Sequence, residues 1–317
     1  MKLKVLKWGL NGFIIASLMY WAQTQRAHDV FLKLASIPLA YLAAMMGLSL
    51  GLMFISALRW AHLIRAFGNP PPRVWHLFRL SLVGHFFNTF VPGAVGGDVL
   101  RATMTRGIYR QQNTSFLVVF CERAFGLVCL CLLLAVGTIG GPAQDLPHGV
   151  ILGGAGLVAS IILGALIRWR ERIQNITRGY LDEIQQTKSI YWALGISFIG
   201  QLTTLCLFMI ILAAFKVHLA ITTVLFIVPL GLLASVIPLT ILGAGAREVA
   251  LISLLIQYGM LNESTAVGVS TAYLGCLWFL GLVGGAFNLL TESKQFGVKT
   301  TTDVDTIQLS DSAPPQD

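Results

Sequence analysis

Helix-breaking and polar residues interrupt a strongly apolar chain between residues 88 and 101. They are Asn88, Pro92, Gly93, Gly96, Gly97, Asp98 and Arg101. Asp98 follows the break as the cap of a short helix, and Arg101 lies one turn further along. A helix N-terminus has free N–H groups, and beside an arginine it suits a phosphate group. The alternative is a tight cytoplasmic turn in which Asp98 only caps the helix.

A second polar pair, Glu122 and Arg123, lies inside the apolar run from Phe116 to Ile139. A charged residue at the centre of a membrane helix costs roughly 2.5–3.5 kcal/mol, so it usually faces a partner or a cavity. Neighbouring residues of a helix point about 100° apart and pair poorly with each other. We therefore expect each of the two to have a partner elsewhere in the fold. An interhelical ion pair with a purely structural role is the alternative.

The third polar stretch repeats the order of the first. It runs from Pro238 through a break that contains Gly243 and Gly245, and it ends with Arg247 and Glu248 at the start of a new helix. Two broken segments in separate halves of a chain indicate the substrate site of transporters with a repeated architecture. We therefore expect the two breaks to contribute to one polar site. A loop closed by a surface Arg–Glu pair is the alternative.

The composition around these stretches identifies an integral membrane protein. Hydrophobic residues make up 56% of the 317 residues and charged residues 11%, whereas soluble proteins have roughly 25% charged residues. The net charge of +8 comes from Lys and Arg in short segments between apolar runs. This distribution is typical of cytoplasmic loops, so we expect no nucleic-acid partner. The five cysteines lie in apolar runs without zinc-ligand spacing, and we expect no metal and no cofactor.

Apolar runs of spanning length predict an all-α membrane bundle with about seven or eight spanning helices, since a span needs about 20 residues, in a range near 17–25. The qualifying runs are 8–22, 36–58, 115–140, 148–167, 190–215, 222–241 and 266–290. Two shorter runs, 74–91 and 246–258, are interrupted or carry polar residues. We expect them to belong to re-entrant or broken helices near 74–110 and 238–258.

The positive-inside rule places the termini and the first break. Lysines precede run 8–22, and no clean signal-peptide cleavage site follows it, so we expect a retained helix and a cytoplasmic N-terminus. A fully spanning 74–91 would leave Arg101, Arg106 and Arg110 outside. A re-entrant 74–91 keeps these arginines cytoplasmic and fits the rule better.

The same rule places the C-terminus in the cytoplasm. We expect residues 1–292 to form the membrane domain. Residues 293–317 are polar and poor in apolar side chains, and we expect them to form a disordered cytoplasmic tail.

Four motifs occur in a fixed order along the chain. They are Arg59-Trp60, Phe86-Phe87-Asn88-x-x-x-Pro92-Gly93-x-x-Gly96-Gly97-Asp98-x-x-Arg101, Glu122-Arg123-x-x-Gly126-Leu127, and Pro238 through Arg247-Glu248. Together they resemble the lysylphosphatidylglycerol synthase transmembrane-domain family over most of residues 5–292. In that family the domain is similar to a lipid flippase module, sometimes fused to a soluble aminoacyl-lipid synthase. For a chain that ends at residue 317, the resemblance implies a stand-alone member.

We expect a flippase or transporter in a bacterial cytoplasmic (inner) membrane that carries a phospholipid or another lipid with a phosphate headgroup. The resemblance maps six of its substrate-binding residues to the family's polar positions, and these are Asp98, Arg101, Glu122, Arg123, Arg247 and Glu248. We expect Asn88 to contribute to the same site. The arginines bind the phosphate, and the acidic residues orient them, contact a cationic headgroup or take protons. The breaks act as gates through Pro92, Gly93, Gly96, Gly97, Pro238, Gly243 and Gly245.

Two alternatives remain at this stage. One is an enzyme, or a subunit of one, that acts on a polyprenyl phosphate or a phospholipid; the other is a non-catalytic assembly factor. The chain has no Walker A motif, no G-x-S-x-G, no H-E-x-x-H and no acidic metal cluster, so we prefer a transporter to an enzyme. Membrane lipids are the expected partners, and a separate lipid-modifying enzyme and a second copy of the chain are further ones.

Overall fold

The computed structural model describes residues 25–90, 96–109, 114–140, 187–236, 240–241 and 244–295. The helices are α1 (Gln25–Ala35), α2 (Leu39–Ala66), α3 (Val74–Phe90), α4 (Gly96–Met104), α5 (Thr114–Gly140), α6 (Thr187–Ala214), α7 (Ile221–Leu233), α8 (Ala246–Gln257) and α9 (Glu263–Gln295). Two 3₁₀ turns cover Arg106–Ile108 and Ala234–Val236. The strands β1 (Thr240–Ile241) and β2 (Ala244–Gly245) form one antiparallel pair. The predicted all-α class is confirmed.

Four of the described helices are long and apolar enough to cross a membrane. Their spanning parts are Leu39–Ala66, Thr114–Ile139, Lys188–Ala214 and Glu263–Leu289, which correspond to the predicted runs 36–58, 115–140, 190–215 and 266–290. Helix α2 continues beyond the predicted end at residue 58. Arg59 binds Glu122 inside the bundle and does not end the helix at the membrane surface. The predicted spans 8–22 and 148–167 lie outside the described residues. The protein is an integral membrane protein.

Helices α3 and α4 form a hairpin around the first break. Asn88 near the end of α3 contacts Gly97 near the start of α4, and Gly84 one turn earlier contacts Arg101 one turn later. These contacts run in opposite directions along the two helices, so α4 returns alongside α3. The approach is so close that a Cβ on Gly97 would lie 1.8 Å from the Gly84 carbonyl oxygen. The helix broken near 74–110 is therefore present as predicted.

The second break also lies in a hairpin, here made by α7 and α8. Gly231 packs against Leu251, and the β1–β2 pair connects the two helices. The predicted span 222–241 was wrong in length, since α7 ends at Leu233 and has only 13 residues. A helix of that length is shorter than the roughly 17–25 residues of a span. The run is instead the first arm of a broken pair.

Three pairs of helices pack along each other in the described part of the bundle. Helix α2 packs along α6, α9 packs along α3, and α5 packs along α7. One buried cluster includes Phe208, Phe226 and Tyr273, and a second includes Trp60 and Leu77. The polar site lies beside the second cluster, and its charged groups are held against rigid aromatic side chains.

Candidate functional site

The centre of the site is the carboxylate of Glu122, on α5, which accepts hydrogen bonds from three side chains. Ser56 Oγ and Arg59 Nη2 each donate to Oε1 at 2.7 Å. Arg101 Nη2 donates to Oε2 at 2.8 Å. The Glu122 side chain is only 4% exposed, and that of Arg101 9%. The three helices α2, α4 and α5 thus meet at one buried carboxylate.

The sequence around each member explains how the triad of Arg59, Arg101 and Glu122 is positioned. Ser56 and Arg59 are three residues apart on α2 and therefore lie on one face of the helix. The stem of Arg101 crosses Gly84, where a Cβ would lie 2.6 Å from the arginine Cδ. Its guanidinium carbon lies 4.1 Å from the centre of the buried Trp60 ring. Such a cation–π contact contributes about 2 kcal/mol when it is desolvated.

The charges of the triad do not cancel. Two guanidinium groups share one carboxylate, so the triad carries a net positive charge if its members hold their usual charges. The Nε atoms of Arg59 and Arg101 are also buried without a hydrogen-bond partner in the described part of the chain. A buried unpaired donor costs roughly 1–3 kcal/mol, and more when it is charged. This combination of excess charge and unused donors is suited to an anion.

A second ion pair lies at the tip of the first hairpin. Arg123 donates from Nε to Asp98 Oδ2 at 2.9 Å and from Nη2 to Oδ1 at 2.8 Å. Asn88 links the hairpin arms, since its Nδ2 donates to Asp98 and its Oδ1 accepts from the Gly97 N–H. The Arg123 side chain is 63% exposed, whereas that of Asp98 is 16% exposed. Adjacent residues Glu122 and Arg123 have different partners, as the sequence predicted.

The third polar group lies at the start of α8. Arg247 donates to Glu248, the next residue, and Glu248 accepts from the Gly245 N–H at 2.7 Å. The Arg247 guanidinium also lies 5.2 Å from the centre of the Tyr273 ring on α9. Glu248 therefore holds the first turn of α8 and orients Arg247 at the same time.

His85, on α3, lies within reach of the charges of both hairpins. Its Nε2 lies 3.1 Å from the Leu277 carbonyl oxygen on α9, an acceptor to which the ring donates. The charges of Arg123, Arg247 and Arg101 all act on this ring. Charged residues of both hairpins therefore act on the same histidine.

Tyr109, between α4 and α5, closes the site next to Trp60. Burial raises the pKa of Tyr109 to about 12, although Trp60, Thr105 and the charge of Arg101 act in the opposite direction. The hydroxyl therefore stays protonated at physiological pH and contributes no negative charge to the triad.

The predicted site residues fall into two groups. Asn88, Asp98, Arg101, Glu122 and Arg123 come together, whereas Arg247 and Glu248 form a separate pair. Gly96 and Gly97 begin α4, and Gly245 precedes α8. Pro92, Gly93, Pro238 and Gly243 lie outside the described residues. Asp98 differs from its predicted role as a helix cap, because its carboxylate binds Arg123 and Asn88.

Sequence reasoning missed Arg59, Ser56 and His85. Arg59 entered the sequence analysis only as part of the Arg59-Trp60 motif, whereas in the structure it binds Glu122 inside the bundle. The signal was present in the i, i+3 spacing of Ser56 and Arg59 within an apolar helix. Within the described residues, no group of three His, Cys, Asp or Glu side chains could hold a metal ion.

Comparison with known proteins identifies one family. The family model described as the lysylphosphatidylglycerol synthase TM region matches residues 9–285. The match includes both hairpins and all the charged residues of the site. No curated protein and no solved structure matches the chain significantly.

Proposed function

We propose, because the chain belongs to the lysylphosphatidylglycerol synthase TM-region family, that it moves a phospholipid or another lipid with a phosphate headgroup between membrane leaflets. We also place the protein in a bacterial cytoplasmic membrane, and the distribution of Lys and Arg favours a cytoplasmic location of both termini. The charged groups of the two hairpins bind the headgroup, while the acyl chains stay in the surrounding lipid.

The observation that carries this proposal is the unequal charge of the triad. Arg59 and Arg101 share Glu122, and both keep a buried Nε–H that no described residue accepts. A phosphate supplies the missing negative charge, and its oxygens accept hydrogen bonds from guanidinium groups in a favourable planar geometry. Such a buried excess of positive charge is costly in a membrane unless a ligand uses it.

Arg123 makes the first contact with the headgroup in this proposal. Its side chain is largely exposed, whereas both side chains of the Arg101–Glu122 pair are buried. Arg123 can therefore exchange Asp98 for a lipid phosphate at little cost. Asp98 then becomes available to a cationic headgroup or to a proton.

Arg247 receives the headgroup from the other hairpin. Glu248 keeps Arg247 oriented toward Tyr273, and the charge of Arg247 reaches the same histidine as those of Arg101 and Arg123. The two breaks act as gates, because a helix interrupted at membrane depth can move without losing its own hydrogen bonds.

The test is translocation of a fluorescent phosphatidylglycerol in liposomes that contain the purified protein, read as protection from an impermeant quencher. Arg123→Ala and Arg247→Ala should each slow translocation roughly ten-fold or more, since each removes a charge-assisted hydrogen bond of about 1.5–3 kcal/mol. Arg79→Ala is the matched control, because Arg79 packs on the rings of Trp75 and Phe287 and belongs to no polar group of the site.

Unchanged translocation in both variants would show that the site is assigned wrongly. Headgroup release or modification by the wild type, without exchange between leaflets, would support a membrane enzyme instead. Mass spectrometry of lipids that co-purify with the wild type and with Arg247→Ala identifies the headgroup, since the bound lipid should be depleted in the variant.

A further inference from the structure

The two halves of the chain have the same order of helices. In each half a long helix is followed by a hairpin of two shorter helices and then by another long helix. These helices begin at residues 39, 74, 96 and 114 in the first half and at residues 187, 221, 246 and 263 in the second. The offset stays at about 148 residues through all four helices. Unrelated halves are not expected to keep so constant an offset.

Equivalent positions also carry equivalent residues. Gly47-Leu48-Ser49 in α2 corresponds to Gly195-Ile196-Ser197 in α6 at an offset of 148 residues. Trp60 and Phe208, at the same offset, are both fully buried. Gly84 in α3 and Gly231 in α7 each allow the second arm of their own hairpin to approach, through the Arg101 stem and Leu251.

The last helix of each half packs on the other half, as a two-fold axis between the halves requires. Gly137 of α5 lies against the backbone of Leu225 in α7, and Gly284 of α9 lies against the backbone of Leu82 in α3. Thus the last helix of each half packs on the first hairpin arm of the other half. The same relation holds for each half in turn, which a single chance contact would not produce.

Helices α2 and α6 lie next to the axis and run in opposite directions. Ile55 contacts Gly200, Arg59 donates to Ser197, and His62 stacks on Trp192. As the chain advances along α2, its contacts move backward along α6. A two-fold axis that exchanges α2 and α6 passes through the point where a residue of α2 lies beside the residue 148 positions later in α6. That point is near residues 54 and 202. The contact of Ile55 with Gly200 lies close to that point.

We infer that the two halves are inverted copies of one structural unit, related by a two-fold axis in the membrane plane. Because α2 and α6 are antiparallel spans, Ala66 at the end of α2 and Ala214 at the end of α6 lie at opposite membrane faces. The first hairpin therefore enters from one face and the second from the other. Inverted repeats of this kind place the substrate near the membrane midplane in transporters.

The copies differ in charge, which gives each hairpin its own role. At the offset of 148 residues, Arg59 and Glu122 correspond to Leu207 and Ser270, so the buried triad exists in the first half alone among the described residues. The first hairpin thus carries the main headgroup site and opens it to one leaflet. The second, with Arg247, is the gate to the other leaflet. This assignment of gates rests on the proposed function, whereas the inversion does not.

The test is the sidedness of four single cysteines in a variant that lacks the five native ones. Arg73→Cys and Gly107→Cys mark the two ends of the first hairpin, and His218→Cys and Met260→Cys mark those of the second. All four positions are exposed. An impermeant maleimide should label the first two from one face only and the last two from the opposite face only.

Labelling of Gly107→Cys and Met260→Cys from the same face overturns the inversion. So does labelling of the two ends of one hairpin from different faces. An epitope tag inserted at residue 107 or at residue 260 of the otherwise unchanged chain gives the same readout through protease protection, should the cysteine-free variant not fold. Neither measurement involves lipid movement, so a failed translocation assay with correct sidedness refutes the proposed function alone.

Discussion

Replacing Glu122 with Gln removes the charge that two buried arginines share while keeping the size of the side chain. The amide oxygen can still accept from Ser56 and Arg59, but the amide NH₂ would face the Nη2 of Arg101, which is also a donor. Glu122 is only 4% exposed and Arg101 only 9%, so water cannot replace the lost partner. Removal of one partner from a buried ion pair costs about 3–5 kcal/mol.

The matched control is Arg123→Gln, which breaks the second ion pair of the same region. Since the Arg123 side chain is 63% exposed and that of Arg101 only 9%, we expect this change to destabilise the protein less than Glu122→Gln does. The assay is reversible unfolding of both variants in mixed micelles, with the free energy of unfolding compared to that of the wild type. If Glu122→Gln is no more destabilising than Arg123→Gln, the buried triad does not stabilise the fold as we describe.

A third variant separates stability from function. Arg101→Met leaves Arg59 paired with Glu122, a neutral pair, and replaces the stem of Arg101 with an apolar side chain beside Trp60. Buried charges replaced by well-packed apolar groups often leave stability nearly unchanged. We therefore expect Arg101→Met to be more stable than Glu122→Gln but to lose lipid translocation, because the excess positive charge is gone. An unstable Arg101→Met that still moves lipid would contradict both parts.

Further predictions concern the hairpin, α1 and pH. Gly97→Ala should destabilise the protein by about 1–3 kcal/mol or more through overpacking against Gly84, whereas Gly47→Ala, with nothing within 4 Å of its Cβ, should be neutral or stabilising in thermal unfolding. Lys33→Met should loosen α1 in hydrogen exchange, since Lys33 donates to the hydroxyls of two residues at the start of α9. Because the pKa of Tyr109 is raised from 10.0 to about 12, its contribution to stability is complete below pH 10 and lost as pH rises toward 12; Tyr109→Phe should remove this part of the pH dependence.

The amino-acid sequence was sufficient for the helical class and for the family. The four motifs from Arg59-Trp60 to Arg247-Glu248 pointed to the family whose model matches residues 9–285. The breaks at 92–97 and 238–245 predicted two interrupted helices, because Pro and Gly interrupt an apolar helix. The length of α7 was not predictable, since an apolar first arm of a hairpin has the same composition as a span.

Only the tertiary structure shows which charged side chains pair, and that two arginines share one carboxylate. Arg59 and Glu122 are 63 residues apart, and no local pattern tells whether such an arginine faces lipid or a distant carboxylate. The close approach of Gly84 and Gly97, which places Arg101 over Trp60, likewise depends on how two helices pack. Hydrophobicity and helix breaks are properties of neighbouring residues, so they can be predicted from the sequence. The shared carboxylate and the opposed directions of the hairpins depend on the packing of distant helices.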